Sequence, residues 1–387
     1  IINTVKTVLE SKNNLILHAP TGLGKTDSTL PIALSYALTH NLVVFFLTSK
    51  HTQHKIAIGS LQKIKQEYKK NFVAVDIIGK RWMCLQESAS SLPGNQFLEY
   101  CKDLREKDLC QYYLNLKSRG QLSTATKQAL NTLTTLSPLD VENSISISNN
   151  FKLCPYEVSL LLAKEAKVII ADYYHIFNKS IRENMLAKMN RSLQDCIIIV
   201  DEAHNLPERL RSLLSVDISS YILNQAMKEA KELKDERLLS HIQSITNSIE
   251  KLASEKIASN NETIIKKLDF IKEVEKLGYY DDIINAFHLA SEIVLEEKKR
   301  SFLASISSFL SSWLGEDFGY TRILTRQKSK RGYDYYTLSY NCLDPSLATK
   351  EVISQSFSTI LMSGTLSPVS MYRDLLAVDN CLLSEFP

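Results

Sequence analysis

Leu15-Ile16-Leu17-His18-Ala19-Pro20-Thr21-Gly22-Leu23-Gly24-Lys25-Thr26 is the stretch that decides the fold. A short, largely apolar strand (Leu15–His18) empties into a Gly-bearing turn, and residues 25–38 read as a helix. The turn follows G-x-x-x-x-G-K-[ST], with Ala19 in place of the first Gly. Gly22 and Gly24 let the backbone curl so that consecutive N–H groups face one anion. The helix N-terminus adds its partial positive charge. The whole run Ala19, Pro20, Thr21, Gly22, Leu23, Gly24, Lys25 and Thr26 is therefore a nucleotide-phosphate cradle. In it Lys25 reaches the β/γ-phosphates and the Thr26 hydroxyl ligates Mg2+. The plain alternative, a Gly-rich turn before a helix, is disfavoured by the strand–loop–helix context.

Working outward, apolar strands recur at 43–47, about 72–78, 167–171 and 196–200, with helical patterns between them. That alternation predicts an α/β domain around a mostly parallel, buried sheet. The rhythm breaks twice. Residues 79–154 are polar, hold four of the seven Cys, and include a Ser/Thr/Asn-rich run at 123–150 that reads as a mobile loop with little core of its own. From about 206 to 300, Lys, Glu, Leu and Ile recur at helical spacing, and no Pro occurs between Pro207 and Pro345. This predicts an insertion of three or four helices. Two further strands are expected at 335–340 and 358–362.

Composition agrees with an ordinary globular protein: 387 residues, 44% hydrophobic and 23% charged. Forty-six Lys and Arg against 43 Asp and Glu leave a net charge of only +3, so a nucleic-acid surface has to be local. It is local. Residues 50–119 hold 13 Lys and Arg against 7 Asp and Glu, interleaved with Tyr68, Trp82, Tyr100, Tyr112 and Tyr113. Cations plus stacking rings are how single strands are held without sequence readout. No apolar run approaches the roughly 18 residues of a membrane span. An odd number of Cys in a chain of this length argues against a disulfide framework.

A second chemical signature is Cys196-Ile-Ile-Ile-Val200 running into Asp201-Glu202-Ala203-His204. Two carboxylates at the carboxyl end of a buried parallel strand face the crevice where ligands bind. Asp201 is placed to hold Mg2+, mostly through water. Glu202 is placed as the general base that polarises the attacking water, and His204 as a bridge from nucleotide state to neighbouring loops. An acidic helix N-cap is the bland alternative. Lys25, Asp201 and Glu202 together make the expected catalytic set.

Asp201-Glu202-Ala203-His204 is a DEAH box, and with the four-Cys insertion upstream of it the chain resembles the XPD/DinG family of superfamily 2 iron–sulfur DNA helicases. Further stretches carry the resemblance: Gly79-Lys80-Arg81-Trp82-Met83-Cys84, Cys154-Pro155-Tyr156-Glu157, Ala171-Asp172-Tyr173-Tyr174-His175-Ile176-Phe177, Asp344-Pro345-Ser346-Leu347-Ala348 and Ser363-Gly364-Thr365-Leu366-Ser367-Pro368. The last of these matches helicase motif III. The resemblance implies a RecA-like P-loop motor domain (1–79, 155–206 and 301–387), a four-Cys cluster domain (80–154) and a helical arch (207–300). It implies ATP and Mg2+ as ligands, a [4Fe–4S] cluster held by Cys84, Cys101, Cys110 and Cys154, and coupling through His204, Ser363, Gly364 and Thr365. It also implies contact with single-stranded and forked DNA through Thr48, Ser49, Lys50, Lys80, Arg81, Tyr173, Tyr174 and His175. An archaeal, cytoplasmic, monomeric protein is expected, with repair proteins as partners of the arch. The adenine-contacting region and the second motor domain, with its arginine, are not in these 387 residues, so they are expected to hydrolyse ATP poorly alone.

Spacing by itself says less about the cysteines. Cys84-x16-Cys101-x8-Cys110-x43-Cys154 contains no C-x2-C pair, and zinc would also suit four thiolates. Two other functional readings stay open at this level. One is a DNA-junction or damage-binding module with a vestigial ATPase. The other is a zinc-stabilised nucleotide-binding protein.

Overall fold

A computed structural model describes residues 1–387 apart from 88, 90, 91, 93, 259, 299, 330, 331 and 387. In chain order its strands are β1 (Asn14–His18), β2 (Val43–Thr48), β3 (Ala74–Ile77), β4 (Lys117–Ser118), β5 (Gln121–Leu122), β6 (Val168–Asp172), β7 (Cys196–Asp201), β8 (Val216–Ser219), β9 (Glu262–Ile264), β10 (Tyr320–Lys328), β11 (Asp334–Cys342), β12 (Ser358–Ser363) and β13 (Cys381–Glu385). The chain divides into two compact units, residues 1–91, 104–213 and 345–387 in the first and 92–103 with 214–344 in the second.

The first unit is built on a seven-stranded sheet of order β13-β1-β12-β7-β2-β6-β3, parallel throughout. Every residue of β2, β7 and β12 is buried. That is why Val-Val-Phe-Phe-Leu, Cys-Ile-Ile-Ile-Val and Thr-Ile-Leu-Met read as continuous apolar runs rather than alternating ones. Val5, Leu9, Leu30, Leu34, Phe46, Leu61 and Ile170 share one core with them. The register aligns the strand ends: His18 pairs with Ser363, Met362 with Asp201, Leu47 with Val200 and Thr48 with Asp172. The carboxyl ends of β1, β12, β7, β2 and β6 therefore lie along one edge. β12 and β7 separate β1 from β2, a switch in strand order of the kind that opens a ligand crevice in α/β sheets.

The expected mobile loop at 123–150 is instead two helices, Thr124–Leu136 and Val141–Asn150. Their N-caps are Ser123, which accepts from the Thr126 N–H, and Asp140, which accepts from the Asn143 N–H. Their polar side chains bond back to main-chain carbonyls four residues earlier, as Thr132, Thr135 and Ser148 do. Tertiary contacts then fix them on the β3 edge. Ser137 Oγ accepts from the Ala74 N–H (2.8 Å) and donates to the Ala74 carbonyl (3.0 Å), and Asp76 accepts from the Val141 N–H (3.0 Å). Buried Ala129, Leu133 and Val141 supply the apolar anchor.

The second unit runs past residue 300, to residue 344. Its helices Ser220–Glu232, Glu236–Lys256, Lys267–Val274, Tyr280–Lys298 and Phe302–Trp313 pack with an antiparallel sheet of order β8-β11-β10-β9. Residues 301–344 belong to it for two physical reasons. Buried Glu229 accepts from the N–H groups of Phe302 (2.8 Å) and Leu303 (3.1 Å), capping helix Phe302–Trp313. Buried Arg322 of β10 donates to the carbonyls of Trp313 (2.9 Å) and Gly315 (2.8 Å) and lies between the rings of Trp313 and Tyr340. Trp313, Phe270 and Phe309 form the aromatic centre of this core.

Candidate functional site

The phosphate loop follows β1 directly. Gly24 has φ 66° and Gly22 has φ 92°, both in the left-handed region that a side chain disfavours. Gly24 is the N-cap of helix Lys25–His40. Residues 21–24 are exposed, whereas Lys25 is buried. Its Nζ donates to the carbonyls of Ala19 (3.0 Å) and Pro20 (3.3 Å) and so lies across its own loop. The loop is also tied to the end of β12. The Ala19 N–H donates to the Ser363 carbonyl (3.1 Å), and the chain at Gly364 runs so close that a Cβ there would sit 3.4 Å from the Thr21 amide and methyl.

Two strands away, β7 ends in Asp201 and Glu202. Burial, then the neighbouring Glu202 charge, pushes the Asp201 carboxyl up to about 6, and the Glu202 N–H and Lys25 offset this only in part. A desolvated carboxylate beside a second carboxylate is a donor set that a cation would satisfy. With the Thr26 hydroxyl and the Lys25 ammonium, these groups fit Mg2+ and a triphosphate. Glu202 takes a left-handed backbone turn, φ 49°, and two side chains and one main-chain N–H converge on its Oε2 side. His204 Nδ1 donates to Ser363 Oγ (2.7 Å), and Ser363 Oγ donates to Glu202 Oε2 (2.9 Å). The Thr365 N–H also donates to Ser363 Oγ (3.3 Å). With one hydroxyl proton on Ser363, this order puts the His204 proton on Nδ1. The expected catalytic and coupling residues are thus brought together, Gly364 and Thr365 included.

The expected DNA contacts differ in exposure. Thr48, Tyr173 and His175 are buried. Thr48 Oγ1 donates to the Lys50 carbonyl (3.1 Å). Tyr173 Oη donates to the Asp201 carbonyl (2.5 Å), with that of Glu202 3.0 Å away. Burial raises the Tyr173 phenol pKa far above its usual value, so it stays a donor. His175 Nδ1 donates to the Asp172 carbonyl (3.3 Å). The strand-end position predicts proximity, but side chains there alternate in direction, and these three point inward. Lys80 is committed to buried Glu157 (3.3 Å) and lies over the Tyr156 ring. Lys50 is exposed, and Ser49, Arg81 and Tyr174 are partly exposed.

Two buried clusters went unseen in the sequence. His54 Nδ1 bonds Asp76 Oδ1 (2.5 Å), and its Nε2 faces Asp172 Oδ1 at 3.7 Å, an ion-pair distance rather than a hydrogen bond. Burial lowers the pKa of this imidazole, but the two carboxylates more than offset burial and carry it up to about 9. Glu157 is surrounded by Lys188 (2.6 Å), Lys80 (3.3 Å) and Arg105 (3.7 Å). Burial would raise its pKa, yet Lys80, Lys188 and Arg105 hold it below the usual carboxylate range. Both clusters join residues tens of positions apart, so no local pattern announces them.

The four cysteines are a weaker fit to a metal. Cys110 is buried and accepts from Gln86 Nε2 at 3.9 Å, and the Cys154 N–H donates to the Tyr112 carbonyl (2.9 Å). Main-chain and side-chain contacts therefore draw the surroundings of Cys84, Cys110 and Cys154 together. Cys101 lies on helix Gly94–Glu106, in the 92–103 segment grouped with the second unit. Among the described residues, no three His, Cys, Asp or Glu side chains converge to hold a metal ion. No helix among them is long and apolar enough to cross a membrane.

A phosphate loop, a DEAH strand end and a Ser-Gly-Thr strand end on one edge of a parallel sheet define a P-loop motor domain of the RecA-like type. Residues 46–223 match the DEAD_2 family model. The chain is 26% identical over 391 residues to the ATP-dependent DNA helicase CHL1 of Candida albicans, covering 89% of this chain and 45% of that protein. It is 22% identical over 477 residues to the general transcription and DNA repair factor IIH helicase subunit XPD/RAD3 of Saccharomyces cerevisiae, covering 99% and 59%. Two solved structures share the fold. One titled "XPD_Helicase" has a TM-score of 0.65 at 20% identity over 99% of this chain and 60% of that one. One titled "Truncated XPD" has a TM-score of 0.64 at 19% identity over 100% and 99%. The chain is thus similar in sequence to helicases of the CHL1 and XPD type and shares the fold of the XPD structures. It spans about half the length of the curated relatives it matches. The relatives named here are fungal and give the expected archaeal source no support.

Proposed function

We propose that this chain is the nucleotide-binding first motor domain of an ATP-dependent DNA helicase, which holds single-stranded DNA and moves along it 5′→3′. The observation that carries the reading is the convergence of Lys25, Asp201, Glu202, His204 and Ser363 at aligned strand ends. When bound, Mg2+ would neutralise charge building on the β- and γ-phosphates, with Thr26 and Asp201 as the residues that hold it. Lys25 exchanges its bonds to the Ala19 and Pro20 carbonyls for phosphate oxygens, which opens the loop. Glu202 Oε1 orients and deprotonates the attacking water while Oε2 stays engaged by Ser363. Because Ser363 also accepts from His204, a change at the nucleotide is felt at the β12 end and at the loop Ser363–Pro368. Tyr173 links the same strand end to the loop after β6. Polarity, and slow turnover by these 387 residues alone, rest on the resemblance to motors that complete their site with an arginine from a second domain. Forked DNA and repair proteins as partners rest on it as well.

The test is strand separation by the full-length protein on duplexes with a 5′ or a 3′ single-stranded tail. The reading predicts ATP-dependent unwinding of the 5′-tailed duplex and none when Glu202 is replaced by Gln. Unwinding that survives Glu202→Gln removes Glu202 from the mechanism. DNA binding with no ATP turnover in the full-length protein returns the chain to a junction-binding module.

A [4Fe–4S] cluster on Cys84, Cys101, Cys110 and Cys154 is part of this proposal. The drawing together of the Cys84, Cys110 and Cys154 surroundings favours it, and the lack of side-chain convergence weighs against it. Metal analysis decides: iron with sulfide supports the cluster, zinc supports a structural thiolate site, and neither removes both.

A further inference from the structure

Beside the strand ends of β3 and β6 lies a cavity of about 220 Å3 lined by His51, His54, Lys55, Trp82, Glu142 and Ile145, among others. It is below the roughly 300–1,000 Å3 of sites for drug-sized ligands, so it suits one heteroaromatic ring rather than a whole nucleotide. Trp82 lines it and is nevertheless 54% exposed. Its backbone is set by a turn, with the Trp82 N–H donating to the Gly79 carbonyl (2.8 Å). The Arg81 guanidinium lies 4.2 Å over its ring, so the position offers a flat ring and a cation together. The lining also carries paired charges, His54 with Asp76 and Asp172 and Lys55 with Glu142. His54 is charged at neutral pH and is 1% exposed, and its Nε2 has no hydrogen-bond partner. Lys55 forms a 2.9 Å exposed pair with Glu142 at the rim, which presents a donor and an acceptor side by side. His51 opens helix His51–Tyr68, immediately after exposed Lys50.

We propose that this cavity receives one unstacked base of a bound single strand. The base stacks on Trp82, its edge meets the Lys55–Glu142 pair, and the flanking phosphates lie against Arg81 and Lys50. The inference rests on the DNA-binding reading above and adds to it a site for a particular nucleotide. A stacking platform of this kind tolerates any base, because every base has a π-face, whereas the rim pair favours bases with an exposed amino or carbonyl edge.

The experiment uses the full-length protein and a fluorescein-labelled oligonucleotide carrying a single abasic site, moved one position at a time, with affinity read by anisotropy. In the wild type, one abasic position weakens binding by roughly 5- to 150-fold, the range for loss of one base stack. Trp82→Ala loses a similar factor on the intact strand and then no longer distinguishes the abasic position. Trp82→Phe keeps most of the discrimination, and circular dichroism confirms that both variants are folded. Equal affinity of the wild type and Trp82→Ala, or losses that simply multiply, overturns the site while leaving DNA binding standing. A flat wild-type titration overturns the DNA reading and the site with it.

Discussion

Replacing Asp201 by Asn should stabilise the ligand-free protein while abolishing its response to Mg2+ and nucleotide. Asp201 is 7% exposed, and burial together with Glu202 raises its carboxyl from 3.8 to about 6. At 1.36 kcal/mol per unit, holding this group ionised at neutral pH costs about 3 kcal/mol. The folded form binds its proton more tightly than the unfolded chain does. The cost is therefore absent below pH 3.8, grows as pH rises, and is complete above about 6. Asn keeps the shape and removes the charge. For domains of 150–250 residues, 1 kcal/mol shifts Tm by ~2–4 °C, so a gain of roughly 6–12 °C is the ceiling at pH 7.5. The assay is a set of thermal melts of both proteins from pH 4 to 8 in EDTA, repeated with ATP and Mg2+. The advantage of Asp201→Asn should shrink steadily toward pH 4. Added ATP and Mg2+ should raise the wild-type Tm and leave the variant unmoved. A variant less stable than wild type at pH 7.5, or a difference that does not change with pH, would refute the claim that Asp201 is a strained carboxylate kept for a cation.

Two further outcomes follow from the buried polar contacts. His54→Gln leaves buried Asp76 and half-buried Asp172 without their shared cation and should cost roughly 3–5 kcal/mol in urea unfolding. The wild-type contribution is complete below pH 6.5 and is lost as pH rises through about 9, so alkaline melts of wild type and variant should converge. Ser137→Ala strips the Ala74 N–H and carbonyl of their partner. It should cost ~1–3 kcal/mol and speed hydrogen exchange at the Ala74 amide; unchanged exchange there would mean that the 123–150 helices do not protect the β3 edge.

The parts of the fold that could be read from sequence are those whose causes sit close together in the chain. The strand, turn and helix around Lys25 occupy one short run, and the apolar β7 with its two carboxylates occupies another. Buried parallel strands show as continuous runs of Val, Ile, Leu and Phe because both faces are covered. The helices at 124–136 and 141–150 were hidden because Ser, Thr and Asn have weak intrinsic helix propensity. They stand because of caps at Ser123 and Asp140 and contacts with Ala74 and Asp76, which are far away in sequence. The second unit reads as helical because β8 and β9 span only four and three residues, too few to show a period. Its boundary depends on Glu229 and Arg322, single buried charges with distant partners. At the strand ends, position gave the neighbourhood of Tyr173 and His175 but not the direction of their side chains.

If this reading is right, the loop at Lys25 and the strand end at Asp201 grip one magnesium–nucleotide complex. Titrating the chain with a fluorescent ATP analogue, with Mg2+ and then with EDTA, measures this directly. Binding should be saturable, weaken at least tenfold without Mg2+, and fall as far in both Lys25→Ala and Asp201→Asn. Binding of equal strength in wild type and both variants would contradict it.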